Sequence, residues 1–143
     1  MCVDTLISGG RFSDVYVGRL HERCVALKTF VGHAQRQYYV NETSLYSLPF
    51  MEHESILKFY GSHQEITAES QTRYIIVLQY MNLGTLSHFL KLHSVDWVVL
   101  SRMCLSVASG LSHLHREIKC LGTTSTFHSL EEVMLVIASV YIC

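Results

Sequence analysis

Short segments rich in β-branched and aromatic residues open the chain, at residues 5–7, 14–20 and 24–30, and predict three antiparallel strands. Gly9-Gly10 and the polar His21-Glu22-Arg23 supply the turns between them. From residue 34 to 48 the spacing becomes helical, and Pro49 stops it. Two more apolar segments, residues 56–60 and 74–80, predict strands, with the polar stretch Ser62 to Thr72 as a surface loop between them. After a turn at Asn82-Leu83-Gly84, residues 85–92 predict a short helix. Residues 97–115 predict a long one, because Leu100, Met103, Cys104, Val107, Leu111 and Leu114 recur at intervals of three or four. The expected class is α+β: a five-stranded antiparallel sheet with one helix, then further helices.

Composition narrows what such a fold can do. The chain has 143 residues, 49% apolar and 16% charged, with a single proline, which suits one globular domain. The formal net charge of −1 comes without any Lys/Arg run, so neither a nucleic-acid interface nor a polybasic membrane anchor is expected. The charged fraction is below the roughly 25% usual for soluble domains, and the mean hydropathy is +0.23. Some apolar surface is therefore expected to face a partner. The five cysteines (Cys2, Cys24, Cys104, Cys120, Cys143) are widely spaced with no C-x-x-C pair, arguing against a disulfide framework or a zinc knuckle and for a reducing compartment. No apolar run is expected to reach the roughly 18 residues of a membrane span, and the start lacks a signal-peptide pattern, so the chain as written reads as cytosolic. Nine histidines include no group at ligand spacing, so no metal site is expected.

Two features carry candidate chemistry. The turn Ser8-Gly9-Gly10-Arg11-Phe12-Ser13-Asp14 lies between strands and is followed by Val25-Ala26-Leu27-Lys28. Small residues let a hairpin close over phosphates, and a lysine on the next strand can direct its ammonium at them. Read alone, a glycine pair at a hairpin tip is more often an ordinary turn. The second feature is Glu42, on the same helix face as Tyr38 and Leu45. It either borders the buried stripe and reaches water, or pairs with a cation such as Lys28, since an unpaired buried carboxylate is costly.

Taken together these parts resemble the small lobe of a protein kinase: a glycine-containing loop, a Val-Ala-Leu-Lys strand, a helix with Glu, two strands, then Ile75-Ile76-Val77-Leu78-Gln79-Tyr80-Met81-Asn82-Leu83-Gly84. Val15-Tyr16-Val17-Gly18-Arg19-Leu20, Asn41-Glu42, Met51-Glu52-His53, Asp96-Trp97 and Gly110-Leu111-Ser112-His113-Leu114-His115 are similar to type II receptor serine/threonine kinases of the TGF-β superfamily. The resemblance runs from about Leu6 to Glu117. It implies a small lobe over residues 5–81, a hinge over 82–84 and the first large-lobe helices over 85–117, with 118–143 a tail outside the family pattern. It further implies an ATP site. Ile7, Ser8, Gly9 and Gly10 belong to its loop, and Val15 and Ala26 cover the adenine. Lys28 holds the α- and β-phosphates and pairs with Glu42. Leu78 lies at the back, and backbone groups of Gln79 and Met81 meet the adenine edge. Ser8 and Ser13 stand where most kinases have the loop's first and third glycines.

The same resemblance implies a limit. Kinases use one aspartate to orient the attacking hydroxyl and another to hold magnesium, whereas this chain has only Asp4, Asp14 and Asp96, all before the point where a catalytic loop would follow. No catalytic residue and no magnesium ligand is expected, and ATP binding, if present, is expected to be weak. The implied parent is a plasma-membrane receptor with a cytoplasmic kinase domain and type I receptor kinases as partners. The chain itself reads as an inactive fragment. The alternative is a non-catalytic module that binds receptor partners and modulates signalling. The stretch Val133 to Cys143, apolar in ten of eleven positions, is expected to be adventitious to the fold.

Overall fold

A computed structural model describes residues 2–120. They form an α+β structure whose strands are β1 (Cys2–Gly9), β2 (Asp14–Leu20), β3 (Arg23–Val31), β4 (Phe59–Ile66) and β5 (Thr72–Gln79). The helices are α1 (Arg36–Tyr46), α2 (Leu86–Leu92) and α3 (Trp97–Cys120). Two compact units divide the chain. One joins Met1–Leu48 to Lys58–Tyr80, and the other joins Pro49–Leu57 to the chain from Met81 onward.

In the first unit every strand pairing is antiparallel and the sheet order is β1-β2-β3-β5-β4. The central pair, β3 and β5, is the most apolar and the most buried. Side chains alternate across a strand, so Val25, Leu27, Ile75 and Val77 share one face and form a buried cluster against half-buried Tyr16, Leu20 and Tyr60. The other face carries α1. Helix α1 has little of its own to hold it: no side chain caps its start, no acidic residue lies in its first turn and no basic one in its last. What holds it is a row of rings. Tyr39 stacks on Tyr74 with centroids 4.9 Å apart and meets the edge of Phe30 at 6.2 Å, and Tyr46 stacks on Phe59 at 5.4 Å.

The polar stretch expected as a loop from Ser62 to Thr72 is mostly strand. β4 begins at Phe59 and runs to Ile66, and the connecting loop is only residues 67–71. The apolar pair Ile56-Leu57, expected to begin that strand, is instead buried in the second unit. The physical reason is position. An edge strand has one ladder partner and an open face, so Ser62, His63, Gln64 and Glu65 can sit there in water. Glu65 also receives a bond from Arg73 of the neighbouring strand at 3.1 Å. Smaller differences lie at the ends: β1 is longer than residues 5–7, and α1 is entered through the 3-10 turn His33–Gln35. The long helix continues past residue 115 to Cys120. Residues 121–143, including the apolar stretch from Val133, lie outside the described residues.

In the second unit Thr85 caps α2, its Oγ1 accepting from the His88 N–H at 3.2 Å. Asp96 caps α3, its Oδ1 accepting from the Val99 N–H at 2.8 Å while its carbonyl takes the Leu100 N–H at 3.0 Å. Removing this cap with Asp96→Ala is expected to cost about 1 kcal/mol, readable as an earlier loss of helical circular dichroism on heating. Gly110 permits a close approach. A Cβ there would lie 3.4 Å from both the Cβ and the carbonyl oxygen of Ser55, whose hydroxyl accepts from Ser106 at 3.3 Å. The rings of His53 and His113 stack at 4.5 Å. By length and composition alone Trp97–Arg116 could cross a membrane, which a search for uncharged runs misses because Arg102 interrupts it. Its buried Met103 and Leu114 fit a helix seated in a packed unit, although Trp97, Val98 and Leu105 of the same helix are exposed.

Candidate functional site

Strand register assembles the first set of residues. Val15 lies opposite Lys28, and Ala26 lies opposite both Val17 on β2 and Leu78 on β5. Directly opposed side chains share a face, as do residues two apart on one strand. Val15, Ala26, Lys28 and Leu78 therefore converge on the face that carries α1, away from the Val25–Leu27 cluster. Ala26 is the smallest side chain of this group.

Lys28 Nζ donates to both oxygens of Glu42, at 2.8 Å to Oε1 and 2.7 Å to Oε2. The pair is partly withdrawn from water, with side-chain exposures of 28% and 15%. Two short charge-assisted bonds fix the ammonium far better than a single loose contact. The lysine also lies 5.6 Å from the centroid of the Phe30 ring. Strand β3 and the aromatic-tethered α1 meet here, and the result is a cation held in a defined direction on the face that also carries Val15, Ala26 and Leu78.

The glycine turn closes the β1–β2 hairpin. Ser8 pairs with Val15 and Gly9 with Asp14 in the ladder, and Gly10 N–H donates to the Ser13 carbonyl at 2.9 Å. A Cβ on Gly10 would stand 2.9 Å from that same carbonyl oxygen, so glycine is required there. Ile7 precedes the turn and is half exposed. Phe12, at the tip, stacks on Tyr38 of α1 with centroids 4.5 Å apart, and Arg11 lies 5.3 Å over the Phe12 ring. Sequence reasoning did not single out Phe12, Tyr39 or Tyr46. The signal was an unusual density of aromatic residues in and before α1.

Gln79 ends β5, and its N–H is engaged by the Lys58 carbonyl at 2.9 Å. Met81 opens the second unit, where its carbonyl accepts from Gly84 N–H at 3.2 Å. Gly84 has φ +74°, a conformation that suits glycine. An open concavity of about 630 Å³ is lined by Leu20, His21, Glu22, Arg23, Val25 and Tyr60, and it includes none of the residues above. Among the described residues no group of three or more His, Cys, Asp or Glu comes close enough to hold a metal ion.

Residues 1–121 match the sequence family described as protein tyrosine and serine/threonine kinase. The chain is 35% identical over 112 residues to the activin receptor type-1 of Homo sapiens, covering 78% of this chain and 22% of that protein. It is 37% identical over 109 residues to the activin receptor type-2A of Homo sapiens, covering 76% and 21%. Against the anti-Muellerian hormone type-2 receptor of Homo sapiens it is 32% identical over 117 residues, covering 82% and 20%. The chain thus spans about a fifth of the length of the curated relatives it matches.

Proposed function

Because the chain belongs to the protein tyrosine and serine/threonine kinase family, we propose that its sheet unit is the nucleotide-binding part of a TGF-β-superfamily receptor serine/threonine kinase and that it binds ATP. The observation that carries this reading is the pair of hydrogen bonds that Lys28 donates to Glu42 on the face shared with Val15, Ala26 and Leu78. A flat base suits the apolar side chains of Val15, Ala26 and Leu78, and a phosphate chain suits the oriented ammonium of Lys28. Glu42 keeps that ammonium aimed. Gly10, at the turn, lets backbone N–H groups approach phosphate oxygens more closely than a larger residue would. The carbonyl of Gln79 and the backbone of Met81 are the groups assigned to the adenine edge, since the Gln79 N–H is already bonded.

Within the superfamily we assign the chain to the type II receptors. The stretch from Ser8 to Asp14 resembles that of the anti-Müllerian hormone type 2 receptor, which is the member we assign, with the bone morphogenetic protein type II receptor as the second candidate. Type I receptor kinases are then its partners, and the cytoplasmic side of the plasma membrane is its place. Residues 5–81 act as the small lobe, 82–84 as the hinge and 85–117 as the first helices of the large lobe.

Calorimetric titration with ATP tests the reading. Weak binding is expected, changed less than about threefold by magnesium, and Lys28→Ala is expected to weaken it at least roughly tenfold, the scale of hydrogen bonds to charged groups. Equal affinity in the Lys28→Ala chain, or a strong magnesium requirement, would count against it.

A further inference from the structure

Two lightly held segments touch through a single aromatic contact. The glycine turn is closed by the Gly10–Ser13 backbone bond, and its tip residue Phe12 is 45% exposed. Helix α1 buries only Tyr46 and carries no capping side chain at its start. Tyr38, 38% exposed, meets Phe12 ring to ring at 4.5 Å and an interplanar angle of 29°. Arg11 lies over the Phe12 ring, 5.3 Å from its centroid. Tyr38 and Glu42 are four residues apart and therefore neighbours on one helix face. The ring that receives Phe12 thus sits one turn ahead of the carboxylate that receives Lys28.

We propose that the Phe12–Tyr38 stack is a positioning contact that couples the glycine turn to the helix carrying Glu42, so that ordering the turn and holding Glu42 against Lys28 are one event. The proposal rests on the nucleotide-binding reading for its purpose: a nucleoside triphosphate that orders the turn also tightens the lysine–glutamate pair, and the reverse. Phe12 and Tyr38 touch no nucleotide in this scheme and act through the turn and Glu42. The contribution of an aromatic pair beyond its buried area corresponds to a change in local opening of roughly two- to tenfold. That is enough to matter for two segments with few other constraints.

Hydrogen exchange followed by mass spectrometry on the full chain tests the coupling without nucleotide. Phe12→Ala is expected to speed exchange two- to tenfold in residues 10–15 and also in residues 38–46, about as much as Tyr38→Ala does. The double variant should exchange no faster than either single one, and Phe12→Tyr should restore the original rates. Phe12→Leu keeps apolar bulk at an exposed turn and should behave like Phe12→Ala, which separates loss of the ring from any general loss of folding. Adding ATP to the unaltered chain should slow both segments together. Faster exchange in the turn with α1 unchanged, or effects of the two single changes that simply add, overturns the coupling. Failure of the unaltered chain to bind ATP removes the nucleotide reading, and the exchange result in its absence still decides whether the two segments are linked.

Discussion

Replacing Leu27 by alanine is expected to unfold the sheet unit under conditions where the unaltered chain is folded. Leu27 is 0% exposed and lies in the cluster formed by Val25, Ile75 and Val77, on strands β3 and β5 in the interior of the sheet. Truncation there removes apolar burial and leaves a cavity in a site that ladder bonds prevent from collapsing, a loss of about 2–5 kcal/mol. Domains are stable by only about 5–15 kcal/mol, so most of the margin disappears. Urea unfolding followed by circular dichroism should show the midpoint shift or the transition vanish. Ile66→Ala serves as the comparison, because Ile66 is 78% exposed on the edge strand and its loss should be within about 0.5 kcal/mol. A Leu27→Ala chain as stable as the Ile66→Ala chain would contradict the assigned core.

The second large effect is an absence of transfer. A polypeptide of these 143 residues, incubated with radiolabelled ATP and magnesium, is expected to label neither itself nor a generic protein substrate above a Lys28→Ala control. Phosphoryl transfer in this family needs one aspartate at the attacking hydroxyl and another on magnesium. The three aspartates present are placed elsewhere. Asp4 lies in β1, Asp14 pairs with Gly9 in the hairpin ladder, and the Asp96 carboxylate caps α3. Label above the control would show that some other carboxylate takes these roles.

Much of this architecture could be read from the order of residues because the reading used periods that the chain obeys. Strand β3 was legible because Cys24 to Phe30 is rich in β-branched and aromatic residues, and its burial alternates along Val25-Ala26-Leu27-Lys28. The ladder then added what alternation cannot give, namely that Val15 and Leu78 stand opposite Lys28 and Ala26. β4 was misplaced because its polar residues face water on an edge, where hydrophobic pattern is a poor guide. The Ile56-Leu57 pair looked like a strand for the opposite reason, being apolar and buried in another unit. Glu42 was undecided by sequence since a helix face defines a direction and not a partner. The stack of Phe12 on Tyr38 joins residues 26 positions apart, and no local rule relates them.

The bareness of α1 has a consequence for the order in which the chain takes shape. An eleven-residue helix without a capping side chain at its start is marginal by itself in water. Its turns persist only once Tyr74, Phe30 and Phe59 present a surface for Tyr39 and Tyr46, and those rings belong to strands β5, β3 and β4. The hairpin of β2 and β3 is local and can form early, but the β3–β5 ladder joins segments some fifty residues apart and closes late. The helix must wait for it. The meeting of Lys28 and Glu42 is therefore among the final events of folding, and the same dependence makes it among the first to be lost when the sheet's far edge loosens.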